Sequence, residues 1–286
     1  MNSETPTASR GRSASHLYAL GAIALWASLA TLGVALSHVP PFLLTGVALV
    51  VGSVPAWPSW RQWRIPLRTL ALGVYGLFGF HFLLFIALRH APAVEANLVN
   101  YLWPLLIVVM APLFLPGLRL RPVHVGAALT GFAGAALAIA GGRELAGGWS
   151  WGYVAALGSA FVWASYSLWT RRVAHFPTAA IGLFGLVSGG LSLICHWALE
   201  PRVALSAQDW GLLVLMGLGP LGAAFFLWDK ALKTGDARRI GILSYLTPLA
   251  STVLLVLATG RSVSGWIVAA AVLIIGAALA GVRARA

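Results

Sequence analysis

Apolar residues run along this chain in long blocks separated by short polar joints. Leu17 to Leu36, Val123 to Gly142 and Val263 to Val282 contain no Asp, Glu, Lys or Arg. Each is close to the roughly 20 residues an α-helix needs to cross a bilayer. The same pattern over the rest of the chain predicts ten spans, at 17–36, 41–57, 67–88, 93–115, 122–141, 151–170, 178–199, 209–230, 238–259 and 263–282. The first block is too long, and its flanks are wrong, for a cleaved signal peptide. The polar start, residues 1–15, is expected to be a disordered cytoplasmic tail. The expected fold class is an all-α integral membrane protein.

The pattern repeats. "GAIALWAS" (21–28) matches "GSAFVWAS" (158–165), and "ALRHAPAVEANLVNYLWPL" (87–105) matches "ALKTGDARRIGILSYLTPL" (231–249) without gaps at an offset of 144. This divides the chain into two five-helix repeats, 16–147 and 148–286. Five is odd, so the second repeat is expected to enter the membrane in the opposite sense to the first. Inverted repeats are a signature of alternating-access transporters, with the site near the midplane where the halves meet.

Composition agrees with the membrane class: 59% of residues are hydrophobic and 9% charged, against roughly 25% charged in soluble domains. The net charge of +12 does not gather in a basic domain, so it gives no nucleic-acid surface. It sets topology instead. With the N-terminus inside, fifteen Lys and Arg fall in cytoplasmic segments, and only Arg89, Arg143, Arg202 and Arg261 fall outside. Both termini are therefore expected in the cytoplasm. A single Cys195 excludes an internal disulfide and reads as a packing residue.

The candidate chemistry lies in the repeated stretches "VNYLWPLL" (99–106) and "LSYLTPLA" (243–250). Asn97, Asn100, Tyr101 and Pro104 share one face of the fourth span at helical spacing. Gly241, Ser244, Tyr245 and Pro248 do so on the ninth. A polar face is costly against lipid and is expected to look into the bundle or a wet cavity. Pro104 and Pro248 should kink the helices and free the carbonyls of Asn100 and Ser244. The competing reading is that the prolines shape packing and the polar residues bond helix to helix. Trp103 and Trp163, the latter sharing a face with Tyr166, are expected to line the same site. Trp26 and Trp228 fit lining or packing equally. His81 lies deep in the third span and is a further substrate-binding candidate. Glu95 fits a helix-start role, and Asp229 and Lys230 fit snorkelling at a span end. No carboxylate stands at mid-span, so a carboxylate proton relay has no support.

Enzyme motifs are missing: there is no G-x-S-x-G, H-E-x-x-H or P-loop. The other histidines are scattered at span ends without metal-ligand spacing. No metal and no cofactor is expected.

At "AVEANLVNYLWPLL" the sequence resembles the drug/metabolite transporter superfamily, EamA type, and within it the exporters of aromatic amino acids. "AFVWASYS" (160–167) and "SYLTPLAS" (244–251) carry the same resemblance. It implies ten spans in two inverted halves, a bacterial inner-membrane location, and a cavity lined by Tyr101, Trp103 and Trp163. The expectation drawn from all this is a secondary transporter, not an enzyme, that exports aromatic and other apolar amino acids and works as a monomer in the bilayer. A drug or other small-metabolite exporter on the same fold is the first alternative. An intramembrane enzyme, built on His81 and a serine, is the alternative from another class.

Overall fold

A chain this apolar must satisfy its backbone internally, and a helix does so within one segment. The computed structural model describes residues 6–141, 145, 148–259 and 264–283, and among them every regular element is helical. Eight helices are long and apolar enough to cross a membrane. The sixth predicted span is present as a helix, Gly152–Trp169, whose serines, tyrosines and tryptophans lower its apolarity. The ninth is divided in two, Ala237–Leu243 and Leu246–Thr259. At the start of the chain the expectation of a disordered tail over residues 1–15 is corrected for residues 6–15. The first helix, α1, runs Pro6–Ala27, and proline suits a first helical position because its missing N–H has no intrahelical partner there. Residues 1–5 lie outside the described residues.

The elements before the site are α1, α2 (Leu29–Ala35), α3 (Pro41–Ser53) and α4 (Leu67–Val74). Next come α5 (Phe80–His90), α6 (Ala93–Asn100), α7 (Trp103–Phe114) and α8 (Pro122–Ala140). The second half has α9 (Gly152–Trp169), α10 (Ala180–Leu199), α11 (Ala207–Leu218) and α12 (Ala224–Thr234). It ends with α13 (Ala237–Leu243), α14 (Leu246–Thr259) and α15 (Gly265–Arg283).

Two irregularities recur in both halves, the π-helical turns at the repeat offset of 144 and the helix breaks within one residue of it. A π-helical turn, Tyr75–Gly79, joins α4 to α5, and another, Gly219–Ala223, joins α11 to α12. A break at Tyr101–Leu102 separates α6 from α7, and one at Ser244–Tyr245 separates α13 from α14. Each break lies just ahead of its proline, where the ring crowds the preceding turn.

Packing interleaves the halves: α3 lies on α10, α8 on α15, α1 on α12 and α5 on α9. The last two pairs exchange when one half is mapped onto the other. Small residues let these helices approach closely. At Gly76 an added Cβ would fall 2.3 Å from the Tyr166 ring, and at Gly131 2.5 Å from the Tyr245 ring. These two contacts seat the tyrosines of α9 and of the α13–α14 break.

At one end of the bundle, polar ties bind the ends of the helices. Arg238, 1% exposed, donates to both carboxylate oxygens of Asp236 and to the carbonyl of Arg119, which crosses from one half to the other. Burial works against the Asp236 carboxylate, but hydrogen bonds and charge from Arg238 outweigh it and hold its pKa below the ordinary value. Asp229 corrects the snorkelling expectation. It is buried and accepts from Lys233 Nζ and Thr178 Oγ1, each at 2.7 Å. Lys230, by contrast, is exposed. At the opposite end the buried Glu200 carboxylate accepts from the Phe42 and Leu43 N–H groups at the start of α3 and pairs with Arg89 at 2.9 Å.

Candidate functional site

The breaks and π-helical turns surround a cavity of about 520 Å³, within the range of small-molecule sites. Its floor is aromatic. Trp26, Trp103 and Trp163 come from α1, α7 and α9, with ring centroids 5.9–6.4 Å apart and edge-to-face angles. Such geometry sets a positive ring edge on a negative ring face. Phe225 joins them 5.6 Å from Trp163, and Phe80 lies 5.4 Å from it. Trp26 is fixed by its Nε1–H, which donates to the carbonyl of Pro220 in the second π-helical turn at 3.1 Å. Trp228 packs behind this layer, 1% exposed, and donates to Ser167 Oγ at 3.1 Å. Of the two rings that fitted either role, Trp26 lines the cavity and Trp228 packs.

The walls carry neutral polar groups. His81, Asn97, Asn100, Tyr101, Thr247 and Ser251 line the cavity, as do Ser37 and Thr45; no Asp, Glu, Lys or Arg is among the lining residues. His81 follows the first π-helical turn, and its Nδ1 lies 2.6 Å from the Leu77 carbonyl. A carbonyl only accepts, so this contact puts hydrogen on Nδ1 and leaves Nε2 of the neutral ring as an acceptor. Ser159 Oγ shares its hydrogen between Asn100 Oδ1 at 2.8 Å and the Ala156 carbonyl at 2.7 Å, tying α6 to α9.

Of the residues expected at the site, His81, Asn97, Asn100, Tyr101, Trp103 and Trp163 come together around this space. Tyr166, Ser244 and Tyr245 do not reach it. Tyr166 packs behind Trp163 at 5.4 Å between centroids. Ser244 donates to the Gly241 carbonyl at 2.6 Å, and Tyr245 is fully buried against α8. Pro104 and Pro248 are buried outside the lining. Nor is the Ser244 carbonyl free, because it accepts from Thr247 N–H at 3.0 Å. The break tightens that turn instead of leaving the carbonyl open. The ninth span has Thr247 and Ser251, one turn apart, in the lining in place of Ser244 and Tyr245. Thr247 lay in view inside "LSYLTPLA", but a continuous wheel placed it off the polar face.

The chain matches the model of the EamA-like transporter family twice, over residues 13–140 and 150–282. It is 42% identical over 285 residues to the aromatic amino acid exporter YddG of Ancylobacter novellus, covering 96% of this chain and 99% of that one. To the aromatic amino acid exporter YddG of Salmonella typhimurium it is 29% identical over 71% of this chain and 73% of the relative. A solved crystal structure, 41% identical, superposes with a TM-score of 0.89 over 94% of this chain and 96% of that chain.

Proposed function

The chain belongs to the EamA-like transporter family, and from that premise we propose that it exports aromatic and other large apolar amino acids from the bacterial cytoplasm by alternating access. The cavity is the observation that carries the reading. An amino acid has a charged but internally neutral head beside an apolar side chain. The cavity offers uncharged donors and acceptors beside an indole floor. The relatives named as aromatic amino acid exporters support the same substrate class.

The proposed architecture is ten spans in two inverted halves: the eight long apolar helices, α9, and α13 with α14 read as one broken span. The recurrence of the π-helical turns at the repeat offset, and of the breaks within one residue of it, supports it. The charge distribution supports cytoplasmic termini in an inner membrane. In that orientation the exposed lining residues Ser37, Pro41 and Leu88 lie on the outward side. The indole floor and the Arg238–Asp236 ties then close the cytoplasmic side. One chain supplies the whole cavity, which supports action as a monomer. The relatives named as exporters favour transport over catalysis.

The test is flux from proteoliposomes loaded with a panel of labelled amino acids, with and without an imposed proton gradient. Saturable, downhill movement of phenylalanine, tryptophan, tyrosine and leucine without a gradient is expected, because no carboxylate stands in the cavity to couple protons. Movement of drugs or other metabolites to the exclusion of amino acids overturns the reading.

A further inference from the structure

The joint between α3 and α4 is unlike its counterpart in the second half. Residues 54–68, "VPAWPSWRQWRIPLR", hold three Trp, three Arg and no Asp or Glu. The joint between α10 and α11, "EPRVALS" (200–206), has one Arg, no Trp and no helix. The repeated fold therefore does not demand the aromatic and basic residues of the first joint. They stand on a preformed piece of structure, the 3₁₀-helical segment Val54–Trp63. Its inner side is fixed to the start of α10. Trp63 Nε1–H donates to the Ala179 carbonyl at 2.9 Å, and Ala56 is buried where a Cβ added to Gly182 would fall 2.4 Å from its own. Its outer side is open. Trp57 and Trp60 are 46% and 57% exposed, and Arg61, Arg64 and Arg68, which follow, are exposed too. Among the described residues none of these three arginines meets a carboxylate, whereas Arg89 and Arg238 do. None of them lines the cavity.

Topology needs positive charge at this end, and lysine or arginine anywhere in the joint would supply it. It does not call for exposed indoles held on a rigid turn next to unpaired guanidinium groups. Indoles settle at headgroup depth, and a guanidinium is a planar fork that matches two phosphate oxygens at once. We propose that residues 54–68 form a docking surface for an anionic phospholipid, with Trp57 and Trp60 in the headgroup layer and Arg61, Arg64 and Arg68 on the phosphate. Charge complementarity selects the occupant. The patch is purely cationic, and in the orientation proposed above it meets the cytoplasmic leaflet, whose surface is negative. A zwitterionic lipid would bring an ammonium group against the arginines.

The experiment is native mass spectrometry of the full chain, delipidated in detergent and offered equimolar dioleoylphosphatidylglycerol and dioleoylphosphatidylcholine. The readout is the ratio of the two one-lipid adducts. The wild-type protein should favour phosphatidylglycerol. Arg61→Gln, Arg64→Gln and Arg68→Gln together should cut the ratio at least about fivefold, the effect of one basic residue near an anionic surface. The matched control, Arg119→Gln, Arg121→Gln and Arg172→Gln together, removes the same charge from exposed positions at the same end of the bundle and should leave the ratio unchanged. Arg61→Lys, Arg64→Lys and Arg68→Lys together keep the charge that sets topology but lose the forks, so the ratio should fall here too; this variant gives the reading if the glutamine one does not fold. No preference in the wild type, an equal fall in the control, or a wild-type ratio in the glutamine or lysine variant overturns the lipid surface.

Discussion

Trp163 holds the cavity floor together: Trp26, Phe80, Trp103, Tyr166, Phe225 and Trp228 all pack against its indole. Replacing it with alanine removes ring contacts that aromatic substrates use and small ones do not. At matched amounts of folded protein, Trp163→Ala should raise the half-saturation concentration for phenylalanine relative to alanine between about twofold and about tenfold, the range for an aromatic pair beyond area burial. Equal losses for both substrates would move the side-chain subsite elsewhere. At this scale the first half of the cavity lining was legible in the sequence. Asn97, Asn100 and Tyr101 sit on one helical face up to the break, so the 3.6-residue period describes them correctly. The second half was legible only in part: Ser251 follows Ser244 by seven residues on the same face, but Ser244 donates to the Gly241 carbonyl and Tyr245 packs on α8, and Thr247 is in the lining instead.

The helices are positioned by close approaches that leave no room for side chains. Gly76, in the first π-helical turn, abuts the Tyr166 ring, which in turn backs Trp163. Gly76→Ala should displace Tyr166 and lower stability by about 1–3 kcal/mol, as overpacking does, read as a fall in melting temperature in detergent. Gly190→Ala, where nothing lies within 4 Å of an added Cβ, should leave it unchanged. Equal melting of the two variants would show that the Gly76 contact is not tight. The sequence announced where spans lie, since long apolar runs have few other uses. The π-helical turns were not legible: they register as ordinary apolar residues and come from packing between helices. Their recurrence at Tyr75–Gly79 and Gly219–Ala223 places both at the ends of α5 and α12, which carry His81 and Phe225 to the cavity.

For the whole molecule, closure at the Arg238 end depends on ionic ties. Asp236 is held ionised by Arg238, its pKa below the ordinary value. A depressed carboxylate pKa means stability that is present above the unfolded value and lost as pH falls through the folded one. Asp236→Asn should therefore lower the melting temperature by a constant amount from about pH 8 to about pH 5, with the gap to wild type closing below about pH 4. A gap that widens on acidification would contradict this sign. The most direct test of the account combines orientation, cavity and substrate in one measurement. Ser251 lines the cavity, so Ser251→Cys, made with Cys195→Ser, places a thiol inside it. The rate of its reaction with a membrane-impermeant maleimide applied from outside the cell should fall saturably as phenylalanine is added, and lysine should leave it unchanged. A thiol that reacts only from the cytoplasmic side, or at a rate indifferent to phenylalanine, would contradict the account.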